Sequence, residues 1–193
     1  MRLRTVALTG LIIPALLVGT LRMFPPDRTD QLPGVIAMSD PFSQDKIFKI
    51  VDDINNLAPG QVLHLKITSY GGEVAPTIAL ITALQNTKGH VIAEVDGMAA
   101  SAAGIILMYI PEVHASKNSM VLFHEAAMDI GGARVVGTDP FSLFTNDLIK
   151  NTLAGMLTPE ELKVITDGGD LWLDGQAAAE RINAYHVLHP VGN

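Results

Sequence analysis

Three short segments of the chain carry residues whose types and spacing suit acyl transfer. Gly71 and Gly72 directly follow an apolar run, Ser101 stands among Ala and Gly residues, and His124 ends the apolar run 120–123. A serine hydroxyl is a poor nucleophile at neutral pH and needs a base, which a histidine supplies. The tetrahedral intermediate needs backbone N–H donors, which a Gly-Gly turn and the residue after the serine can supply. Together the three segments predict an acyl-transfer site.

Each segment also has an ordinary structural interpretation when it is taken alone. Gly-Gly pairs are common in turns that bind nothing. A small residue such as Ser101 suits the close packing of a helix on a sheet, and His124 has the sequence context of a half-buried histidine. The functional prediction therefore depends on the elements that bring the three segments together.

Apolar periodicity predicts strands that alternate with helices. The predicted strands are 34–38, 62–67, 91–95, 113–115 and 120–123, and the predicted helices are 43–57, 74–85, 99–109 and 140–157. A further helix begins at Thr158, where Glu161 completes a capping box. This alternation predicts an α/β fold with a mainly parallel sheet and helices on both faces. Functional residues gather at the strand ends of such sheets, so the three segments can converge there.

Residues 1–28 differ in character from the rest of the chain. The run 5–21 has no charge, and Arg2 and Arg4 precede it. A positive start before an apolar run is typical of a secretory signal, and this run also has a borderline length for a membrane span. We therefore predict a signal peptide or N-terminal membrane anchor with its linker over 1–28, and one folded domain over 29–193. The protein is then expected to be exported, periplasmic or membrane-anchored. An N-terminal core helix is the remaining interpretation.

The composition excludes several kinds of site and partner. The 193 residues have a formal net charge of −7 at pH 7 and include no cysteine. Disulfides, thiolate nucleophiles and Cys-ligated metal sites are therefore excluded, which leaves Ser101 as the natural nucleophile. The acidic balance argues against a nucleic-acid partner, which normally meets a basic face.

The segment 67–126 resembles the core of the Clp protease proteolytic subunits, which are serine peptidases of the ClpP/crotonase fold. The family's Ser-Pro-Gly-Gly motif is matched by 69–72 with Tyr70 in place of proline. Its Gly-Gln-Ala-Ala-Ser motif is matched by 97–101 with Met98 in place of glutamine, and its hydrophobic pair before histidine by 122–124. The resemblance extends loosely over 35–187. It implies a ClpP/crotonase-like βαβ spiral in which the region after Gly131 forms the C-terminal helical handle.

The resemblance implies a role for each matched residue. Ser101 would be the nucleophile and His124 the general base. Gly72 and Ala102 would donate the N–H groups of the oxyanion hole.

Two aspartates are candidates for the third member of the implied Ser-His-Asp triad. The family's aspartate lies several residues before a segment matched here by 171–177, which favours Asp167. Asp170 is the alternative, and an ungapped alignment reaches Thr166.

The implied function is a serine peptidase that hydrolyses peptides or unfolded protein segments. The resemblance implies no metal or organic cofactor. It also implies a homo-oligomer assembled through the handle.

Three other interpretations stay open at this point. Membrane-bound relatives use a Ser–Lys dyad, for which Lys117 and Lys150 are available. A non-catalytic, membrane-tethered scaffold or assembly subunit would keep the fold without a working aspartate. A crotonase-type acyl-CoA enzyme would use acidic residues such as Glu73 or Glu125, and would leave Ser101 unexplained.

Overall fold

A mainly parallel sheet organises the computed structural model, which describes residues 34–39, 42–131 and 133–191. The strands are β1 (Val35–Ser39), β2 (Val62–Ser69), β3 (His90–Ala100), β4 (Glu112–Ala115), β5 (Met120–Phe123), β6 (Met128–Ile130), β7 (Ala133–Val135) and β8 (Leu171–Asp174). The helices are α1 (Gln44–Asn55), α2 (Val74–Asn86), α3 (Ala102–Leu107), α4 (Pro140–Leu153), α5 (Pro159–Thr166) and α6 (Gly175–Leu188). The predicted leader over 1–28 lies outside the described residues. Within the described part of the chain, no helix is long and apolar enough to cross a membrane.

The sheet order is β1-β2-β3-β5-β8, with β4 paired beside β5 on β3. All of these pairs are parallel except β5 with β8, which is antiparallel. The predicted α/β fold with a mainly parallel sheet is confirmed. The strands β6 and β7 form a separate antiparallel hairpin.

The core lies on one face of the central strands. Leu63, Leu65 and Ile67 of β2 are fully buried, whereas His64 and Lys66 between them remain partly exposed. The first half of β3 alternates in the same way. The prediction of helices on both faces is therefore wrong for this part of the sheet, because a strand covered on both sides would be apolar throughout.

The end of β3 also differs from the sequence prediction. The run 99–109 is rich in helix-forming residues and predicts a helix from Ala99, yet the strand continues through Ala100. Ala99 and Ala100 pair with Val121 and Leu122 of β5 and are buried. Sheet pairing thus overrides local helix propensity and delays the helix start to Ala102.

The start of α5 agrees with the sequence prediction. Thr158 accepts a hydrogen bond from the N–H of Glu161, whose carboxylate accepts one from the N–H of Thr158. The predicted capping box is confirmed. The hairpin β6–β7 and the strand β8 are not among the predicted strands.

Candidate active site

Ser101 occupies a sharp turn between β3 and α3. Its backbone has φ 56° and ψ −124°, and it is the one non-glycine residue with positive φ in the described part of the chain. Its N–H donates to the carbonyl of Leu122 on β5 at 3.0 Å, which ties the turn to the neighbouring strand. Strained backbone of this kind costs about 1–3 kcal/mol and is concentrated at functional sites. A serine on a strained strand-to-helix turn exposes its hydroxyl in the manner of a nucleophile elbow.

The Gly71–Gly72 segment lies against this turn. Gly71 has φ 90°, and a Cβ added there would lie 2.9 Å from Cβ of Ser101. Phe42 pairs with one edge of the segment, because its N–H donates to the carbonyl of Gly71 and its carbonyl accepts from the N–H of Glu73. In an extended segment, the N–H and carbonyl groups of neighbouring residues point to opposite sides. Gly72 lies between Gly71 and Glu73, which both bond to Phe42. The N–H of Gly72 therefore points away from Phe42.

Ser101 and His124 line the same pocket. The pocket has a volume of about 560 Å³, including the part that opens to solvent, and Gly72 and Ala102 also line it. Apolar side chains form much of the remaining wall: Val74, Ile78, Ile81, Ile105, Leu148 and Ile149.

Two threonine hydroxyls in the pocket wall are already engaged by helix backbone. Thr77 donates to the carbonyl of Glu73 at 2.7 Å, and Thr145 donates to that of Phe141 at 2.8 Å. Neither hydroxyl proton remains for a ligand, so this wall presents an apolar surface.

His124 follows β5 directly and is half-buried. Its Nδ1 lies 2.6 Å from the carbonyl oxygen of Glu125 and 2.8 Å from Nη2 of Arg134. The next residues are fixed by Asn146 of α4, whose Oδ1 accepts from the N–H of Ala126 at 2.8 Å. With Nδ1 engaged in this way, Nε2 is the ring nitrogen that remains for Ser101. No Ser101–His124 hydrogen bond is formed in the described conformation.

Burial and two charges set the acidity of His124. Burial is the largest cause, and it lowers the pKa of His124. The hydrogen bond to the Glu125 carbonyl raises this pKa, the positive charge of Arg134 lowers it, and the negative charge of Asp170 raises it. The net shift is downward, so the imidazole stays neutral, and able to accept a proton, to lower pH than an ordinary histidine.

The two predicted acids have different partners. Asp167 accepts two hydrogen bonds from Nζ of Lys163, at 2.9 and 2.7 Å, and both side chains are exposed. Asp170 pairs with Nη1 of Arg134 at 2.5 Å. Of the two carboxylates, Asp170 is thus the one linked to His124, through a single guanidinium group, whereas Asp167 makes no hydrogen bond to the imidazole in this conformation.

The lysines of the Ser–Lys alternative lie elsewhere. Lys150 is exposed on α4 and lines a different cavity, beside Thr166, and Lys117 is exposed before β5. Neither of them lines the pocket of Ser101.

Sequence reasoning missed Arg134 as a neighbour of His124. The signal for it is the Gly131-Gly132 pair between two short runs that contain β-formers, a pattern typical of a hairpin. The hairpin pairs Met128 with Val135, so it returns the chain towards the point where it left His124. Asn146 carries no such signal, because its contact depends on how α4 packs.

Residues 33–139 match the family model of Clp protease. The matched region is more than half of the chain. It contains the Gly71–Gly72 segment, Ser101, His124 and the β6–β7 hairpin, but it ends before Asp167 and Asp170. The protein belongs to the Clp protease family, a family of peptidases.

Proposed function

We propose that the protein is a serine peptidase whose nucleophile is Ser101 and whose general base is His124. Ser101 Oγ attacks the carbonyl carbon of a peptide bond while Nε2 of His124 accepts the hydroxyl proton. The same proton is then donated to the leaving amine, and water hydrolyses the acyl-enzyme by the reverse proton path. The observation that carries this proposal is the strained turn of Ser101, which faces a pocket that His124 also lines.

The oxyanion hole is proposed to consist of the N–H groups of Gly72 and Ala102. Both residues line the pocket, and neither N–H takes part in a backbone hydrogen bond among the described residues. The N–H of Ala102 is close to the glycine segment, since a Cβ on Gly71 would lie 2.9 Å from that nitrogen. Two convergent donors of this kind stabilise the negative charge of a tetrahedral intermediate.

His124 also needs a group that orients its ring. In the described conformation the Glu125 carbonyl is the acceptor available to Nδ1–H. Asp167 stays the predicted third member of a triad, although Lys163 binds it here, and Asp170 is the alternative. Comparison of Asp167→Asn with Asp170→Asn by peptide turnover tests the choice, because loss of the orienting carboxylate lowers kcat by several orders of magnitude.

Peptides and unfolded protein segments are the proposed substrates. The apolar pocket beside Ser101 suits an uncharged side chain of an extended peptide. Family membership also supports a homo-oligomer, and exposed apolar side chains on β6 and α4 are candidates for its contact surface: Met128, Ile130, Phe141, Leu143 and Phe144. Sedimentation velocity measures the oligomeric state, and a strictly monomeric chain would contradict this part.

Export or membrane attachment through residues 5–21 is kept as a proposal that rests on the sequence alone. Alkaline carbonate extraction of cells that express the full chain tests it. Retention of the chain in the membrane fraction supports an anchor, and release of the full-length chain argues against one.

A non-catalytic scaffold is the second candidate, and one observation favours it. No carboxylate in the described part of the chain lies within hydrogen-bond distance of Nδ1 of His124, where a Ser-His-Asp triad needs one. Apo sites can form such bonds only when substrate binds. Activity therefore decides between the two candidates.

Labelling with a fluorophosphonate probe tests the peptidase proposal. The wild-type chain should react covalently at Ser101, and Ser101→Ala should abolish labelling. His124→Ala should slow it by at least about a hundredfold, because general-base assistance is lost. Ser116→Ala is the matched control, since Ser116 is an exposed serine outside this pocket. If wild type labels no faster than Ser101→Ala, the scaffold interpretation replaces the peptidase.

A further inference from the structure

Two charged side chains that take no direct part in the proton transfer between Ser101 and His124 lie beside the base. Arg134 from β7 places Nη2 at 2.8 Å from Nδ1 of His124 and at 3.0 Å from the carbonyl oxygen of Glu125. Its other terminal nitrogen, Nη1, binds Asp170 at 2.5 Å. The guanidinium thus connects the imidazole to a carboxylate that lies just before β8.

The two contacts of Nδ1 require opposite protonation states of that atom. If Nδ1 carries a proton, it donates to the Glu125 carbonyl, and Nε2 keeps the lone pair that accepts the proton of Ser101. If Nδ1 is unprotonated, it accepts from Arg134, and the proton sits on Nε2. That second tautomer cannot act as the base. Arg134 and the Glu125 carbonyl therefore compete for the state of His124.

The charge of Arg134 opposes protonation of His124, as does its hydrogen bond to Nδ1. The imidazolium ion that forms during acyl transfer meets the positive charge of Arg134, which disfavours it. Asp170 partly neutralises this charge and holds one end of the guanidinium. Among the described residues, Arg134 and Asp170 are the charged groups that bear on His124, and the directions of their effects on its pKa agree with this account.

We propose that Arg134 and Asp170 are positioning residues with opposite effects on His124. Arg134 holds the ring in the tautomer that cannot accept a proton from Ser101. Asp170 binds the other end of the guanidinium in the same conformation and offsets its positive charge, which favours the imidazolium ion that forms during acyl transfer. The inference rests on the proposed function, because it assigns a role to the environment of its base.

The test measures the rate of fluorophosphonate labelling of the full chain across pH for Arg134→Gln and Asp170→Asn. Arg134→Gln should raise the rate at neutral pH by about tenfold and move the acid limb to higher pH, because a cation beside the base is lost. Asp170→Asn should lower the rate and move the limb to lower pH. Arg134→Lys keeps the charge and should stay closer to wild type in pH profile than Arg134→Gln does.

Matched charge changes away from the pocket serve as controls. Lys88→Gln and Glu160→Gln remove one exposed charge of each sign and should leave the pH profile unchanged. In protein labelled with ¹⁵N in its histidines, the ring shifts of His124 should move towards the Nδ1–H tautomer in Arg134→Gln. This spectroscopic readout does not depend on turnover, and a merely structural role of Arg134 would leave it in place.

The outcomes separate failure of this inference from failure of the proposed function. If Ser101→Ala still labels like wild type, the nucleophile assignment fails whatever Arg134 does. If Ser101→Ala and His124→Ala lose labelling but both charge variants slow it with no shift of the acid limb, the pair is only structural and the inference is overturned. It is also overturned if both variants match their controls. Slower labelling of Arg134→Gln with an unchanged His124 tautomer would also overturn the inference. In that case the guanidinium would assist the base and not oppose it.

Discussion

Substitution of Gly71 by alanine tests whether the glycine segment and the nucleophile turn form one unit. Gly71 has φ 90°, a region that side chains with a Cβ rarely adopt. An added Cβ would lie 2.7 Å from the carbonyl oxygen of Ala100, and 2.9 Å from both the nitrogen of Ala102 and Cβ of Ser101. Two of these neighbours are backbone atoms, which cannot rotate away. The turn that carries Ser101 must therefore move.

The structure allows the size of this effect to be worked out. The positive φ alone costs alanine about 1–2 kcal/mol. Overpacking adds about 1–3 kcal/mol, so Gly71→Ala should lower the free energy of unfolding by about 2–5 kcal/mol in total. Relief of the contacts displaces the Ser101 turn by about half an ångström, and misplacement of this size lowers kcat by about tenfold to a hundredfold.

Gly60→Ala is the control that isolates the contacts from the strain. Gly60 has φ 84°, nearly the same as Gly71, but nothing lies within 4 Å of an added Cβ. Urea unfolding should show a loss of about 1–2 kcal/mol for Gly60→Ala, with unchanged kcat in a fluorogenic peptide assay. Equal stability losses and equal kcat for the two variants would refute the idea that Gly71 is needed for its approach to Ser101.

Three further outcomes are expected. Because the pKa of His124 is lowered, the acid limb in the pH profile of kcat/KM should have its midpoint below a pH of about 6.5. A midpoint above that value would contradict the burial argument. Peptides with leucine before the scissile bond should be cleaved about a hundredfold faster than those with lysine, and no preference would mean that the apolar pocket does not hold that side chain. Arg181 lowers the pKa of Glu161 to about 2, so the stability from this pair is present above about pH 4.5 and is lost as pH falls towards 2. Glu161→Gln should therefore cost about 1–2 kcal/mol in urea unfolding at pH 7 but almost nothing at pH 2, and an equal loss at both would show that the charge is not responsible.

Local signals were enough to predict several elements. The capping box at Thr158 and Glu161 is encoded within four consecutive residues, and the structure contains it. The strand 120–123 is a short apolar run directly before His124, and it forms with those bounds. Motif spacing likewise predicted that Ser101 and His124 would face a common space, because both follow neighbouring parallel strands.

The turn of Ser101 shows where local signals fail. The alanine-rich run 99–109 predicts a helix from Ala99, with Ser101 in its first turn next to the preceding strand. Pairing of β3 with β5 instead keeps Ala99 and Ala100 in the sheet. The chain therefore turns from strand to helix at a single residue, Ser101. The strained backbone that makes this serine a candidate nucleophile thus results from a contact between strands some twenty residues apart.

The acidic residue shows the same limit at a longer range. Asp167 and Asp170 lie three residues apart in one exposed turn, and the family resemblance favours the first. Lys163, one helical turn earlier, is within reach of Asp167 and binds it on α5. Asp170 instead meets Arg134, which the β6–β7 hairpin brings back beside His124. The cation that each carboxylate binds therefore decides which of them can influence the base. The cation beside His124 is placed there by the β6–β7 hairpin, and the positions of the acidic residues in the sequence do not predict that hairpin.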